Sequence, residues 1–428
     1  MSDNACLQKR ADYWRRTMSS ELQSFPERSM DSLYHDMLSP EDVLSIRSEV
    51  RAFCDKKVAP VAWDIGHREE SVENFPRELF KAMAEAGLFR IPFDTDCGGR
   101  GLPHPAAATA VTIEELSYYS NSVAAIFDVH CILAGHALTY GSEELKSKYL
   151  EPLLAGEKIG SFATSEAEAS TDLSVDSLVT EAVFKDDHIV VSGHKRWITN
   201  SPVASFVILL CKDGDRMTEV VVDLDSPGVR VGQPDKKMGN HGQLTADIHF
   251  DAVKVPLTNV LGKRGDGLKI ALQVLTYGRI GIAATGVGMA QSVFDHSAFR
   301  LKSRRAFKRP LGSFQHWQFL MADRATQIEN ARSLYLKAAL RMDSGVAFPE
   351  PEAAMAKAYA TDLACSFARD GVQIFGGYGF TSELAEDGSR YKVEEVYRDS
   401  KIAEIYEGTN EIQKWVIART IFGKEITG

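Results

Sequence analysis

Trp317–Met342 reads "WQFLMADRATQIENARSLYLKAALRM". Within it Trp317, Met321, Ala325, Ile328, Ala331, Tyr335, Ala338 and Met342 recur every three or four residues, the period of one helix face. So long a seam predicts a helix packed at a shallow angle inside a bundle. The helical pattern holds over residues 271–428. Just upstream, over 161–270, the period changes. "HIVVSGHKRWITN", "SFVILLCK", "EVVVDL" and "DIHFDAVKVP" are short and β-branched, with turns at Asp186-Asp187 and Asp213-Gly214. They predict a small β-domain, sandwich or barrel. Over 31–160 helices return. In "SPEDVLSIRSEVRAFCDKKVAP", Ser39 is expected to cap, Pro40 to open the first turn, and Val43, Ile46, Val50 and Phe53 to form the apolar face. "SVAAIFDVHCILAGHAL" reads as a helix buried on most sides. The expected fold class is mainly α with a middle β-domain: an extension of unassigned role over 1–30, then helical, β and helical parts over 31–160, 161–270 and 271–428. No P-loop is present and no G-x-G-x-x-G follows a strand, so a doubly wound fold is not expected.

Composition narrows the function classes. The chain has 428 residues, 44% hydrophobic and 25% charged, enough for one to three real cores. A net charge of -10 argues against nucleic-acid binding. Cys6, Cys54, Cys97, Cys131, Cys211 and Cys365 are scattered, with no C-x-x-C, and predict reduced thiols rather than a metal site or disulfide framework. No apolar run is expected to reach the roughly 18 residues of a membrane span. "MSDNACLQKRADYWRRTMSS" lacks the apolar core of a secretory signal, and Asp3 and Asp12 weaken a transit-peptide reading of Arg15 and Arg16. The expected location is a soluble, reducing compartment: the cytoplasm, or the mitochondrial matrix in a eukaryote.

Five stretches carry candidate chemistry. "FATSEAEASTD" (162–172) gathers hydroxyls and small residues that suit a phosphate or a heterocycle edge, or form an ordinary polar loop. "RWITN" (196–200) offers a flat ring and a hydroxyl, or a core tryptophan. "FRLKSRRAFKRPLGSFQ" presents Arg300, Lys302, Arg304, Arg305, Lys308 and Arg309, either as a solvated helix end or as guanidinium forks for a pyrophosphate. "QIFGGYGF" (373–380) permits close backbone approach, or is a glycine-capped helix end. "EIYEGTNEIQ" (404–413) places Glu407 in a turn just before a helix, as a solvated charge or as an aimed base.

Taken together, in this order and spacing, these stretches resemble the acyl-CoA dehydrogenase family of flavoproteins over roughly residues 35–425. "RWITN", Arg304-x-x-Phe307 with Gln315, "QIFGGYGF" and "YRDSKIAEIYEGTNEIQ" carry most of the likeness. The resemblance implies an N-terminal helical domain, a middle β-domain and a C-terminal four-helix bundle, usually as a homotetramer with FAD between sheet and bundle. It implies that Phe162, Thr164 and Ser165 lie along the isoalloxazine edge, Thr171 near the pyrophosphate, and Trp197 and Thr199 behind the ring. Arg304, Phe307, Gln315, Gln373 and Gly377 are implied to reach a neighbouring subunit's FAD, and Thr409 and Glu411 to contact the cofactor. Glu407 matches the base that takes the α-proton of an acyl-CoA thioester. The resemblance further implies that the β-hydride passes to flavin N5, giving a trans-2-enoyl product, and that electrons leave through an electron-transfer flavoprotein. Burial should raise this carboxyl toward working pH while the glutamate's own N–H and a ribityl hydroxyl polarise the thioester carbonyl. Arg279, Tyr406 and Gly408 are implied on the substrate side. Some members carry the glutamate on the helix starting near "LTYGRIGIA", where this chain has Gly278.

The chain departs from the family pattern in places. Ala167, Ser170 and Thr171 replace Pro, Gly and Ser of the usual loop. Thr276 stands where Asp is common, and Lys392 where Pro is. "LAEDGSR" (384–390) is extra, and bears on the active-site mouth or a subunit contact. Phe127 is expected to shorten the acyl pocket and favour a short or branched chain. Asp128 is expected to face solvent or cap a neighbour, or else to read a polar group on the acyl chain. Two other functions share the fold: a flavin monooxygenase, which the retained Glu407 disfavours, and a non-dehydrogenase DNA-associated binder, which the charge disfavours.

Overall fold

The computed structural model describes residues 25–28 and 39–428. Most of the 1–30 extension, and Cys6 with it, lies outside the described residues. The first helix among the described residues, α1 (Glu41–Phe53), buries Val43, Ile46 and Val50. Its cap position is Pro40, not Ser39: the Pro40 carbonyl accepts from Leu44 N at 3.1 Å, and no side chain among the described residues caps the helix. With Pro40 still extended at ψ 151°, the helix starts one residue late and leaves Ser39 outside it.

α2 (Pro105–Tyr119) turns at Ser120 into α3 (Asn121–Phe127), which continues as wider π-helical turns over Asp128–Gly135. The middle part is one curled sheet of β1 (Gly160–Ala163), β2 (Glu181–Phe184), β3 (His188–Thr199), β4 (Phe206–Asp213), β5 (Arg216–Asp223), β6 (Val229–Val231) and β7 (Thr245–Pro256). Strand order is β1-β4-β2-β3-β7-β6, with β5 paired to β4. The turns expected at Asp186-Asp187 and Asp213-Gly214 join β2 to β3 and β4 to β5.

The last part is α4 (Gly267–Ser303), α5 (Gln315–Asp343), α6 (Glu352–Phe375), α7 (Lys392–Ala403) and α8 (Asn410–Phe422). The seam that predicted α5 faces inward: Ile328, Ala331, Tyr335 and Ala338 are buried. α4 is the axis of the molecule. It packs on α2, α5 and α6, and its first half meets β5.

Two helices correct the expectation about apolar length. Asn121–Leu138 and Gly267–Ser303 are both long and apolar enough to cross a membrane, yet 94% and 83% of those windows are buried inside the protein. Asp128, His130 and Arg279 interrupt the apolar runs to the eye, while the average over 18 residues tolerates them. Both are core helices of this fold.

A buried charge cluster ties the first helical part to the bundle. Arg332 of α5 pairs with Glu114 of α2 at 2.8 Å, both side chains 1% exposed. Arg47 of α1 reaches Glu115 at 3.3 Å and the Tyr335 hydroxyl at 3.1 Å. The extra residues 384–390 form a closed turn, with Leu384 N donating to Ser389 O at 2.9 Å. Arg390 pairs with Glu383 at 2.9 Å and lies 3.6 Å over the Trp63 ring, so this turn rests on the N-terminal helical layer.

Candidate active site

Two strand ends build one wall. The β3–β7 register shifts between Lys195 and Ile198, and Trp197 sits there at φ +58°. A bulge of this kind re-aims a side chain. Its neighbours fix it: buried Lys195 donates to Thr164 O at 3.0 Å and pairs with Glu166 at 2.8 Å, while Asp247 accepts from Arg196 Nε at 3.0 Å. The Trp197 ring is therefore held out, 60% exposed. Beside it lie Phe162, Thr164 and Ser165, at and just beyond the end of β1. Arg196 N donates to Ser165 O at 3.0 Å, joining the two strand ends. Ser161 Oγ donates to Thr199 O at 2.6 Å, which holds Thr199 in the same wall.

The loop between α7 and α8 builds the opposite side. Glu407 has φ +57° and Gly408 φ +88°. Consecutive left-handed residues turn the chain sharply, and a non-glycine residue keeps such a backbone only where its surroundings hold it. Here they do. Arg279 Nε donates to Glu407 O at 3.4 Å, and its Nη1 to Glu350 Oε1 at 2.8 Å. Lys357 Nζ donates to Gly408 O at 3.0 Å and to Asn410 Oδ1 at 2.9 Å. Asn410 N closes the loop on Glu404 O at 2.9 Å. Thr409 caps α8, its hydroxyl accepting from Ile412 N at 3.4 Å.

The Glu407 carboxyl points into the protein, and its Oε2 is buried without a hydrogen-bond partner. It rests on Gly278, where a Cβ would fall 2.2 Å from Oε2. A side chain at 278 and this carboxyl cannot share the space. Burial pushes the Glu407 carboxyl up to about 7, against the opposing pull of Arg279 and Lys357. Burial likewise brings Lys357 down to about 7, although the Glu407 charge works the other way.

Both walls meet in one cleft. Phe162, Thr164, Ser165, Trp197, Thr199, Tyr406 and Glu407 all line it, so seven candidates from three separate stretches converge. Ala125, Asp128, Val129 and Leu133 line it from α3 and its π-helical extension, and Leu275 and Ile282 from α4. Phe127 is absent from that stripe, which corrects the expectation that it shortens the pocket. It faces the other side of its helix, fully buried, with its ring 6.1 Å from Phe89. Asp128 is 1% exposed and neither of its oxygens has a partner among the described residues. It neither faces solvent nor caps anything.

Other candidates stand apart. Thr171 lies on an exposed loop, where Ser170 adopts φ +54° in place of the usual glycine. Arg304 follows the end of α4, about 37 Å along the axis from Arg279 at 1.5 Å per residue. There it stacks 5.8 Å over Tyr378, near Phe307, which is 89% exposed. Gln315 opens α5 and Gln373 lies in the last turn of α6. Gly376, at φ +64°, ends α6, and none of the described residues lies within 4 Å of where a Gly377 Cβ would be. Arg300 of the basic run is buried beneath the Tyr378 ring, 4.7 Å away, rather than solvated. Glu411 is exposed on the first turn of α8. Arg279 and Gly408 act from behind the cleft, through the loop backbone.

The sequence reading missed Lys357. Its signal was there: the one charged residue between Glu352 and Asp362 in an alanine-rich helix. It also gave no hint of a gathering of His194, Asp247 and His249 on β3 and β7. The two rings stack 4.0 Å apart at 8°, so their lone pairs run parallel and do not converge on one ion. Asp247 is also engaged by Arg196.

An exposed flat ring, a fringe of strand-end hydroxyls, and a buried unpartnered carboxyl facing them fit the edge of a flavin with a thioester beside it. The comparisons with known proteins agree. The acyl-CoA dehydrogenase N-terminal, middle and C-terminal domain families match residues 40–157, 161–253 and 265–422. The short-chain specific acyl-CoA dehydrogenase of Clostridium acetobutylicum is 37% identical over 383 residues, 88% of this chain and 97% of that protein. Butyryl-CoA dehydrogenase from Megasphaera elsdenii superposes with TM-score 0.83 at 33% identity, covering 90% of this chain and all of the other. A chain in the structure of the electron transferring flavoprotein of Acidaminococcus fermentans gives TM-score 0.82 at 33% identity over 91% of this chain and 100% of that one. On these matches and this fold, the chain belongs to the acyl-CoA dehydrogenase family, FAD-dependent flavoprotein oxidoreductases of fatty-acid metabolism.

Proposed function

We propose that this protein dehydrogenates a short-chain acyl-CoA to its trans-2-enoyl-CoA, with Glu407 taking the α-proton. The observation that carries the reading is the Glu407 carboxyl: buried, unpartnered at Oε2 and seated over a glycine in the cleft. An α-proton is weakly acidic, so its base must be fixed against it and basic enough at working pH. The Arg279 and Lys357 contacts to the loop backbone supply the first condition and burial the second. Phe162, Thr164, Ser165, Thr171, Trp197, Thr199, Thr409 and Glu411 are the residues we assign to FAD, with Arg304, Phe307, Gln315, Gln373 and Gly377 serving a neighbouring subunit's FAD in a homotetramer. The space left open around Gly377 supports such an approach from outside the chain. Bound FAD supplies the hydride acceptor. The apolar side chains of Val129, Leu133, Leu275 and Ile282 keep water from the reacting carbons. The relatives named for short-chain and butyryl substrates support a short acyl group, and the Acidaminococcus match supports an electron-transfer flavoprotein as acceptor. We place the enzyme in the cytoplasm, or in the matrix if the source is eukaryotic.

The direct test is anaerobic mixing of the FAD-loaded protein with short, branched and medium acyl-CoAs. Bleaching of the oxidised flavin band by short chains is expected. No bleaching, with fast reaction of the reduced flavin toward oxygen, would favour an oxygenase instead.

Two further results are expected. A base must be ionised to accept a proton, so kcat/KM should rise about tenfold per pH unit below pH 7 and level off above it, following the Glu407 carboxyl near 7. A flat profile between pH 5.5 and 8.5 would exclude Glu407 as the titrating base. Gly278→Ala should displace the Glu407 carboxyl, since the new Cβ would lie 2.2 Å from it. An ångström of misplacement costs about 10²-fold in rate. Thermal stability should hardly change, because the about 1 kcal/mol that alanine adds in a helix interior offsets the cost of crowding the carboxyl and Leu133 Cδ2, 3.0 Å from the new Cβ.

A further inference from the structure

Asp128 stands in the cleft wall with nothing among the described residues to bond to. Its residue is 1% exposed and both carboxyl oxygens lack a partner. Buried polar groups in folded proteins nearly always have one, and leaving a carboxyl without any destabilises the fold. The chain has nonetheless made room for it. Its Oδ1 rests over Gly281, where a Cβ would fall 2.2 Å away, one turn of α4 beyond the glycine that makes room for Glu407. It lies at the start of the π-helical turns, a distortion that often marks functional positions. An apolar side chain of similar size would fill the space without that cost. What satisfies Asp128 is therefore to be sought in what enters the cleft.

We propose that Asp128 is a specificity-determining residue that accepts a hydrogen-bond donor, a hydroxyl or a protonated amine, carried on the acyl chain; this rests on the dehydrogenase reading of Glu407. The two glycines are three residues apart, about 4.5 Å along the helix. The donor therefore sits about that far from the α-carbon, on the γ- or δ-carbon. Burial and the Glu407 charge both favour the neutral acid at Asp128. A neutral acid offers one O–H and one accepting oxygen, which matches a hydroxyl. An ammonium group would draw out the ionised form instead. A carboxylate on the acyl chain would meet the Glu407 charge and is disfavoured.

The test separates binding from turnover. In FAD-loaded Glu407→Gln protein the reaction is slowed about 10²–10⁴-fold, and Kd is read from the flavin spectral shift on rapid anaerobic mixing, before the bound thioester reacts. The panel is pentanoyl-CoA, its γ-hydroxy and γ-amino counterparts, and glutaryl-CoA. With Asp128 present, the hydroxy or the amino compound should bind about tenfold tighter than pentanoyl-CoA, and glutaryl-CoA more weakly. Asp128→Ala should remove that preference. Asp128→Asn should keep part of it for the hydroxyl and none for the amine, and it carries the test should the alanine variant not fold. A preference unchanged by these substitutions, or none with Asp128 present, overturns the proposal. If wild-type flavin is still bleached by unsubstituted acyl-CoAs, the dehydrogenase reading stands without it. If no acyl-CoA binds or bleaches, both fall.

Discussion

Glu407→Gln is expected to slow reduction of the bound flavin by acyl-CoA about 10²–10⁴-fold, the usual weight of a positioned base. Glutamine has nearly the same shape. The loop contacts run through backbone carbonyls, Arg279 to Glu407 O and Lys357 to Gly408 O, and do not use the side chain. The left-handed turn, the FAD content and acyl-CoA affinity should therefore survive, and kcat should fall much more than KM rises. Anaerobic stopped-flow absorbance reads the reduction step directly. A rate close to wild type would remove Glu407 as base. Asp128, the other carboxyl of the cleft, would then be the one to test in a double variant.

The second large effect concerns stability. Arg332→Met is expected to destabilise the fold by about 3–5 kcal/mol, the loss typical when one partner of a buried ion pair is removed. Burial alone would push the Glu114 carboxyl up, and the Arg332 and Arg47 guanidiniums overcome that and hold it well below the usual carboxylate range. Arg332 meets it through Nε at 3.1 Å and Nη2 at 2.8 Å. Without Arg332 the carboxylate keeps Arg47 and Tyr335 but loses its two-pronged partner. Adding Glu114→Gln should recover part of the loss, because the remaining group is neutral. Denaturant midpoints of the single and double variants measure this. A single variant within about 1 kcal/mol of wild type would show the pair to be dispensable.

Much of the fold was legible because period survives in a single sequence. The step of three or four in α5 and the β-branched runs of β3, β4, β5 and β7 are local facts. β1, β2 and β6 are only three or four residues long, too short to carry a period. The turn holding Glu407 was legible too, since glycine after a carboxylate at a helix start is a local signal. What escaped depends on other elements. Whether Phe127 or Asp128 faces the cleft is set by the phase of a helix that widens into π-turns, and no residue type announces that change. Lys357 and Gly278 matter through a loop more than fifty residues away in the chain. The apolar length of α3 and α4 was underestimated because isolated polar residues break a run without changing what the fold buries.

The buried arginine–glutamate cluster also bears on how ligands come and go. It rivets α1 and α2 to α5, and α2 leads into the helix that forms one side of the cleft. Hinging these layers apart would strip buried arginines of their partners, a step of several kcal/mol. The layered helices thus act as a fixed jaw. Ligands then enter and leave without these layers parting, past the sheet-side rim where the bulge holds out the Trp197 ring, 60% exposed.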